Sequence, residues 1–438
     1  MPAFKKILVF ILMCEARLVL WRYAPRIIVI TGSVGKTTTK DAIYSVLADH
    51  VHVRKSEKSM NSEIGVPLTI LGQGNAWKNP FKWFVNIVRG ILLLIIPQKY
   101  PGWLVLEVGA DRPGDISSLA RWLRPDIAVM TGVPEIPVHV EYFHSTEDVA
   151  HEKLSLLRYV RPGGTVILNG DDVRLEGMKK DIKEKCLTYG IEGFNDFFAT
   201  GASISYEKGM PTGMKFEMHH GGVSEPATLY GALGTPRVYS ALAAVAVGKI
   251  VGVGQAAAAR SLGASVPSPG RMRTLDGTRN SIIIDDTYNS SPAAALSALD
   301  TMREIKKMPP GQGKPKRKIA ILADMLELGK YSAEAHKLVG ARAATCLDLL
   351  ITVGFRARGI AQAALDAGMP DGNIRQYEQN EAVRAGNELE SELQKGDIVL
   401  VKGSQSMRME RAVEEIMAEP MHASSLLVRQ DDEWLKKA

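Results

Sequence analysis

Cysteine is scarce: three residues in 438, at positions 14, 186 and 346, too few and too far apart for a zinc ribbon or a disulfide framework. A reducing cytoplasm suits such a chain. Long apolar runs are also missing. Residues 4–13 (FKKILVFILM) place two lysines before a short apolar stretch in the manner of a signal peptide, yet no small-residue cleavage site follows, and Glu15, Arg17 and Arg22 arrive too soon. A second stretch, residues 81–96 (FKWFVNIVRGILLLII), is interrupted by Lys82, Asn86 and Arg89 and closed by Pro97. Neither reaches the roughly 20 apolar residues that cross a bilayer. We expect residues 1–26 to form an amphipathic helix that packs on the next domain, and the two stretches to pack together or, failing that, to form a peripheral face at the inner side of the membrane. Charge of one sign does not accumulate either. Lysine and arginine number 54 against 48 acidic residues, interspersed throughout, and aromatics make up 6%. No basic stripe with interleaved aromatics exists, which removes nucleic acid as a dedicated partner. The net charge of +6 suits anionic ligands such as nucleotides, or an acidic membrane surface.

What is present centres on residues 27–40, IIVITGSVGKTTTK. A β-branched apolar run ends at Thr31, Gly32 and Gly35 bracket Ser33 and Val34, and Lys36, Thr37, Thr38 and Thr39 open a polar helix start. These are the parts of a phosphate-binding loop. Its glycines let backbone N–H groups approach phosphate oxygens, and the following helix adds the positive end of its dipole. Lys36 would sit against the terminal phosphates and the Thr37 hydroxyl on Mg²⁺. The spacing is shorter than G-x-x-x-x-G-K-[ST], and a plain glycine turn between strand and helix is the alternative.

The length and the 45% hydrophobic content allow two or three domains. Apolar periodicity predicts strands at 51–54, 103–108, 126–131 and 165–168 and helices at 38–48, 116–123 and 146–159, the last capped by Thr146 and stopped at 161–164. Residues 197–230 read as an antiparallel extension. A helix is predicted at 236–251, a hinge at 266–270 (VPSPG), strands at 281–285, 318–322, 349–353 and 397–401, and a flexible basic loop at 309–316. The fold class that follows is α/β: a phosphate-loop central domain (27–266) with a mostly parallel sheet, then a Rossmann-like α/β domain (267–438), with ligands at the carboxyl ends of the strands.

Glu107 ends a buried strand and faces the phosphate loop. Alone it would be an ordinary structural acid; beside that loop, Mg²⁺ ligation is the better reading. His139, Glu141 and Lys153 lie after the next strand, and pattern alone singles out none of them. The strings TGSVGKTTTK, NSEIGVPLT, LEVGADRPGDI, HVEYFHS, PSPGRM, IDDTYNSSP, LADMLELG and LVKGSQSM, in that order, resemble the motif series of the Mur ligase family. The likeness runs from about residue 27 to the end. IDDTYNSSP, ADMLELG and VKGSQSM are typical of the branch that adds D-alanyl-D-alanine to a muramoyl peptide in peptidoglycan precursor synthesis.

That resemblance implies an ATP-dependent amide-bond ligase, acting through an acyl phosphate, with a carboxylate acceptor and an amine (dipeptide) donor. It implies nucleotide contacts from Gly32, Ser33, Val34, Gly35, Lys36, Thr37 and Thr38, one Mg²⁺ on Thr37 and Glu107, and a second on His139 and a carbamylated Lys153. Arg271 would cross the hinge to the phosphates, and Asp286, Tyr288 and Asn289 would hold the nucleoside. Asn61 and Ser62, followed by Gly65, Pro67 and Thr69, would face the acceptor. Glu327, His336, Lys402, Ser404 and Ser406 would line the amine side, a structural role being equally open for them. Two departures stand out. Only residues 1–26 precede the first strand, where the family carries a UDP-gripping domain. Where the family has His-Asn near adenine, this chain reads GTPRVYS, residues 234–240, so Arg237 is expected to stack on the base. A monomer is expected. Competing readings are an amino-acid ligase of the folylpolyglutamate or cyanophycin type and a non-catalytic nucleotide-binding scaffold.

Overall fold

A computed structural model describes residues 3–137, 139–306 and 317–436. The stretch read as a flexible basic loop, 309–316, lies outside the described residues. Nine strands form the first sheet: β1 (Arg26–Thr31), β2 (Val53–Lys55), β3 (Trp103–Glu107), β4 (Ile127–Met130), β5 (Thr165–Asn169), β6 (Lys185–Gly190), β7 (Phe197–Glu207), β8 (Met210–His220) and β9 (Val223–Tyr230), in the order β2-β3-β1-β4-β5-β6-β7-β8-β9. Pairing is parallel from β2 to β7 and antiparallel from β7 to β9. The second sheet runs β10 (Arg273–Gly277), β11 (Ser281–Asp286), β15 (Ile398–Lys402), β12 (Lys318–Ala323), β13 (Leu349–Val353) and β14 (Ile374–Tyr377), parallel except for β10 against β11.

Alternation along β1 explains why the first sheet needs cover on both faces. Ile28 and Ile30 enter one apolar cluster, Ile27 and Val29 the other, and all four are buried. Helix α1 (Ala3–Tyr23) and the helices α2 (Lys36–Ala48), α3 (Gly65–Leu71), α4 (Pro80–Ile95), α5 (Asp115–Leu123), α6 (Thr146–Leu154), α7 (Val173–Met178), α8 (Thr235–Val251) and α9 (Gln255–Gly263) supply that cover. α2 and α8 contribute Ile43, Leu47, Leu242 and Val245 to one face; α1, α3 and α5 contribute Leu12, Leu68 and Leu119 to the other. The cap of α6 is Ser145, whose hydroxyl accepts the Asp148 N–H at 3.1 Å, rather than Thr146.

The first of those clusters continues through α8 and α10 (Pro292–Glu304) into the second sheet, taking in Leu299, Ile284 and Leu400. This shared core joins the two halves. The exposed ion pair Lys58–Asp431 (3.0 Å) also spans them, but such pairs are worth under about 1 kcal/mol. A shorter link lies at the hinge, where the Ser268 hydroxyl donates to Asp41 at 2.6 Å.

Helix α1 departs from the amphipathic expectation. Leu8, Leu12, Ala16 and Val19 are buried, but Ile7, Phe10, Leu18 and Trp21 are exposed, so apolar residues lie on both sides. Its single acid, Glu15, is buried against Gly90 of α4 with neither carboxylate oxygen hydrogen-bonded among the described residues, and burial pushes its pKa up to about 7. A carboxyl whose folded pKa lies above its unfolded value costs stability as it ionises, so the loss sets in above pH 4.5 and is complete above pH 7. Glu15→Gln is therefore expected to melt near the wild-type temperature at pH 5 and above it at pH 8. Equal melting temperatures at pH 8 would refute this.

Candidate active site

β1 ends at Thr31, and the chain turns through Gly32 (φ 140°) and Gly35 (φ 83°) into α2. A Cβ on Gly32 would lie 2.1 Å from the Thr131 hydroxyl, so only glycine fits there. Because β3 pairs with β1 in the register Ile30↔Glu107, the end of β3 brings the Glu107 carboxylate beside the start of α2. Thr37 Oγ1 donates to Glu107 Oε2 at 2.9 Å and lies 3.1 Å from Ser59 Oγ. The Asn61 amide donates to the other Glu107 oxygen at 3.2 Å. Lys36 Nζ donates to Gly32 O at 2.9 Å, which holds the ammonium over its own loop.

The second half of the chain closes over this group. Arg271 Nη2 donates to Thr37 Oγ1 at 3.1 Å, and its guanidinium lies 3.9 Å over the Tyr288 ring. A cavity of about 600 Å³ results, lined by Ser33 to Thr37, Asn61, Glu107, His139, Arg271, Tyr288, Asn289, Glu327, Ser404 and Ser406. His139 Nδ1 approaches Glu327 Oε2 to 2.6 Å and its Nε2 lies 3.7 Å from Asp111. Both His139 (φ 66°) and Glu327 (φ 64°) hold left-handed backbone, a strain that clusters at working sites. The imidazole beside it holds Glu327 below the usual glutamate range.

Other residues singled out by sequence support the wall or lie away from the cavity, and Ser404 both lines it and supports it. Lys402 is buried and donates to Asp286 Oδ2 (2.6 Å) and Asn289 O (2.9 Å), so Lys402 and Asp286 brace the Tyr288–Asn289 turn from beneath. His336 Nε2 accepts the Met325 N–H (3.0 Å) while Nδ1 donates to Ser332 O (2.7 Å), which pins the loop that carries Glu327. Ser404 accepts the Leu326 N–H at 2.9 Å. Ser62 is exposed and accepts the Gly65 N–H; Gly65, Pro67 and Thr69 belong to buried α3. Thr38 and Arg237 line a separate crevice of about 20 Å³ with Asp41 and Ser268, and burial lowers the Arg237 pKa to about 10. Lys153, on α6, is buried; desolvation first, and the charge of Lys36 next, bring its pKa down to about 7. Desolvation likewise lowers Lys36 and Lys40.

Sequence reasoning missed Asp111, Arg112, Tyr142, Gln405 and Trp434, all on the cavity wall. Asp111 and Arg112 lie inside the LEVGADRPGDI string and were within reach; Trp434 follows no motif. Its place is set by a buried network in which Arg408 bonds Glu410 and the Trp434 carbonyl, while Arg429 bonds Glu410 and the Tyr288 carbonyl.

A phosphate loop, an adjacent carboxylate and an arginine delivered from a second α/β unit define a nucleotide-dependent transferase or ligase. Residues 30–79 and 91–248 match the Mur ligase middle domain, and residues 270–405 the Mur ligase, glutamate ligase domain. The chain is 30% identical over 407 residues to the UDP-N-acetylmuramoyl-tripeptide–D-alanyl-D-alanine ligase of Bacillus subtilis, covering 93% of this chain and 79% of that one. It is 30% identical over 402 residues to the ligase of the same name from Synechocystis, covering 91% and 76%. A MurF ligase from Thermotoga maritima, solved with ADP, superposes with a TM-score of 0.73 at 25% identity, over 93% of this chain and 83% of that one. A folylpolyglutamate synthase of Mycobacterium tuberculosis shares the fold at a TM-score of 0.60 and 14% identity, over 90% and 93%. The chain belongs to the Mur ligase family, whose members are ATP-dependent ligases that form carbon–nitrogen bonds. Lys36→Ala is expected to lower ADP formation by at least about 100-fold, the scale of losing one preorganised charge at a transferring phosphoryl group, with the melting temperature unchanged. Wild-type turnover in that variant would remove the phosphate-loop assignment.

Proposed function

We propose that the chain joins D-alanyl-D-alanine to the free carboxylate of a muramoyl tripeptide in peptidoglycan precursor synthesis. The acceptor carboxylate attacks the γ-phosphorus of ATP, giving an acyl phosphate and ADP. The dipeptide amine then attacks the acyl carbon, loses its proton, and phosphate leaves from the tetrahedral intermediate. The observation that carries this reading is the meeting of Lys36, Thr37, Glu107 and Arg271 in one cavity whose opposite wall holds Glu327, Ser404 and Ser406. Lys36 and Arg271 would serve as cations for the transferring phosphoryl group, and Asn61, bonded to Glu107 on the same wall, would face the acceptor. Closure about residues 266–270 would exclude water from the acyl phosphate. The similarity to D-alanyl-D-alanine ligases over most of the chain supports the substrate pair.

Thr37 and Glu107 suit Mg²⁺, since a hydroxyl and a carboxylate in mutual contact are hard oxygen ligands for a small hard cation. Bound there, the ion would neutralise charge developing on the phosphates. His139 and Lys153 would serve a second ion only if Lys153 were carbamylated, because its amine offers no oxygen. The lowered pKa of Lys153 leaves a share of neutral amine, the form that adds to CO₂ with release of a proton. We place the protein in the reducing cytoplasm as a monomer, a compartment that its three free cysteines suit.

An ADP-release screen pairing acceptors (UDP-muramoyl tripeptide, a folate, free amino acids) with amines (D-alanyl-D-alanine, D-alanine, glutamate) is expected to respond most to the tripeptide with the dipeptide. Preference for any other pair overturns the substrate assignment while leaving the ligase chemistry intact. With ¹³C-bicarbonate, the wild type is expected to give a carbamate carbon signal that Lys153→Ala lacks; an identical spectrum for both dismisses the carbamate.

A further inference from the structure

The ligase reading makes no use of the two outer helices of the first sheet. α1 sends Leu8, Leu12, Ala16 and Val19, and α4 sends Trp83 and Leu93, into the same apolar cluster, so the opposite faces of both helices point away from it. Glu15 abuts Gly90, and Tyr23 Oη donates to Leu93 O at 2.9 Å. The two helices therefore touch at both places.

Their outer faces are apolar. Positions 7, 10, 14, 18 and 21 fall on one stripe of α1, and Phe10 is 62% and Trp21 83% exposed. On α4, Phe84, Ile91 and Ile95 fall on one stripe, with Phe84 62% and Ile95 68% exposed. The inward face of α4 is mixed, with Asn86 and Gly90 buried beside Trp83 and Leu93 and the Asn86 amide donating to Gly74 O at 3.0 Å, while Phe84, Ile91 and Ile95 face out. Adjoining exposed aromatic and aliphatic side chains rimmed by charge mark an interaction surface.

Charge identifies the partner. Lys6, Arg17 and Arg22 border the α1 stripe, Lys82 and Arg89 border that of α4, and the one acid in the two helices, Glu15, is turned inward. A second copy of the chain would set two basic rims against each other. Beside the α1 stripe, and sharing Arg17 and Trp21 with it, a groove of about 570 Å³ is walled by Trp122, Arg124 and Arg161. The Trp122 indole N–H has no hydrogen-bond partner among the described residues. Tryptophan and arginine together suit the headgroup level of a membrane, where rings sit in the interface and guanidinium groups meet phosphates. Among the described residues no helix is long and apolar enough to cross a bilayer.

We propose that α1 and α4 lie in the plane of an anionic phospholipid surface, their outer stripes among the acyl chains and the basic rim and groove at the level of the phosphates. The full chain is expected to float with phosphatidylglycerol-containing vesicles at low salt, to stay behind with pure phosphatidylcholine, and to be released by raised salt. Trp21 emission should shift to the blue on binding, a shift that Trp21→Phe removes. The pair Arg17→Gln with Arg22→Gln, from roughly fivefold per basic residue lost, and the pair Phe10→Ser with Phe84→Ser, from lost apolar burial, should each cut partitioning at least about tenfold, while lipid-free ADP formation and melting stay unchanged. A wild-type chain left in the soluble fraction with anionic vesicles at low salt overturns the proposal. So does a lipid-free dimer that Phe10→Ser with Phe84→Ser dissociates, which would assign the face to a second copy.

Discussion

The hydroxyl of Thr37 is where the molecule comes together. It donates to Glu107, receives a hydrogen bond from Arg271 and touches Ser59, so four segments distant in sequence meet at one oxygen. Each arrives by a separate structural necessity. The parallel pairing of β3 with β1 delivers Glu107, the left-handed turn at Gly35 starts α2 with Thr37 inside its first turn, and the core shared through α8 and α10 fixes the second sheet so that Arg271 reaches across. Loss of Thr37 would take one hydrogen bond from the buried Glu107, which keeps the Asn61 amide, and one from Arg271, a more serious fault than loss of one surface contact.

The electrostatics around that oxygen are arranged for a polyanion. Lys36, Lys40 and Lys153 all have pKa values lowered, mainly by desolvation, and Arg271 adds to the effect on Lys36 and Lys40. Glu107 and Asp111 offset the crowding only in part. Lys36 and Arg271, the two of these groups that line the cavity, are under-neutralised, and a bound triphosphate would supply the missing negative charge. The same burial that strains the free protein strengthens each contact to the phosphates once they arrive.

The phosphate loop was legible because its chemistry is local: glycines, a lysine and threonines within a dozen residues of a β-branched strand. Glu107 was legible because a strand end next to such a loop has few other roles. The strands β6, β10 and β14 were not predicted, since Lys185–Gly190, Arg273–Gly277 and Ile374–Tyr377 mix polar with apolar residues and lie at or near an edge of their sheet's parallel array. His336 and Lys402 carried the right residue types for a site, yet they hold the wall from behind, a distinction set by which way a side chain points. Trp434 could not be found at all, because its position depends on the buried Arg408–Glu410–Arg429 network rather than on any neighbour in sequence. Helix α4 splits its apolar residues, burying Trp83 and Leu93 and leaving Phe84, Ile91 and Ile95 exposed, a division that composition alone does not show.

The two surfaces of the first unit are compatible because a parallel sheet has two distinct ends. Arg124 and Arg161 stand just before β4 and β5, and Ile27 near the start of β1, so the arginine–tryptophan groove gathers at the amino ends of these strands. Lys36, Glu107 and the rest of the cavity follow the carboxyl ends of β1 and β3. Strands of five or six residues hold those ends roughly 15–20 Å apart. A lipid surface met at the groove therefore leaves the mouth of the cavity open to nucleotide and peptide. The basic rim serves the first surface and Lys36 with Arg271 the second, which separates two uses of positive charge that would compete if they shared one face.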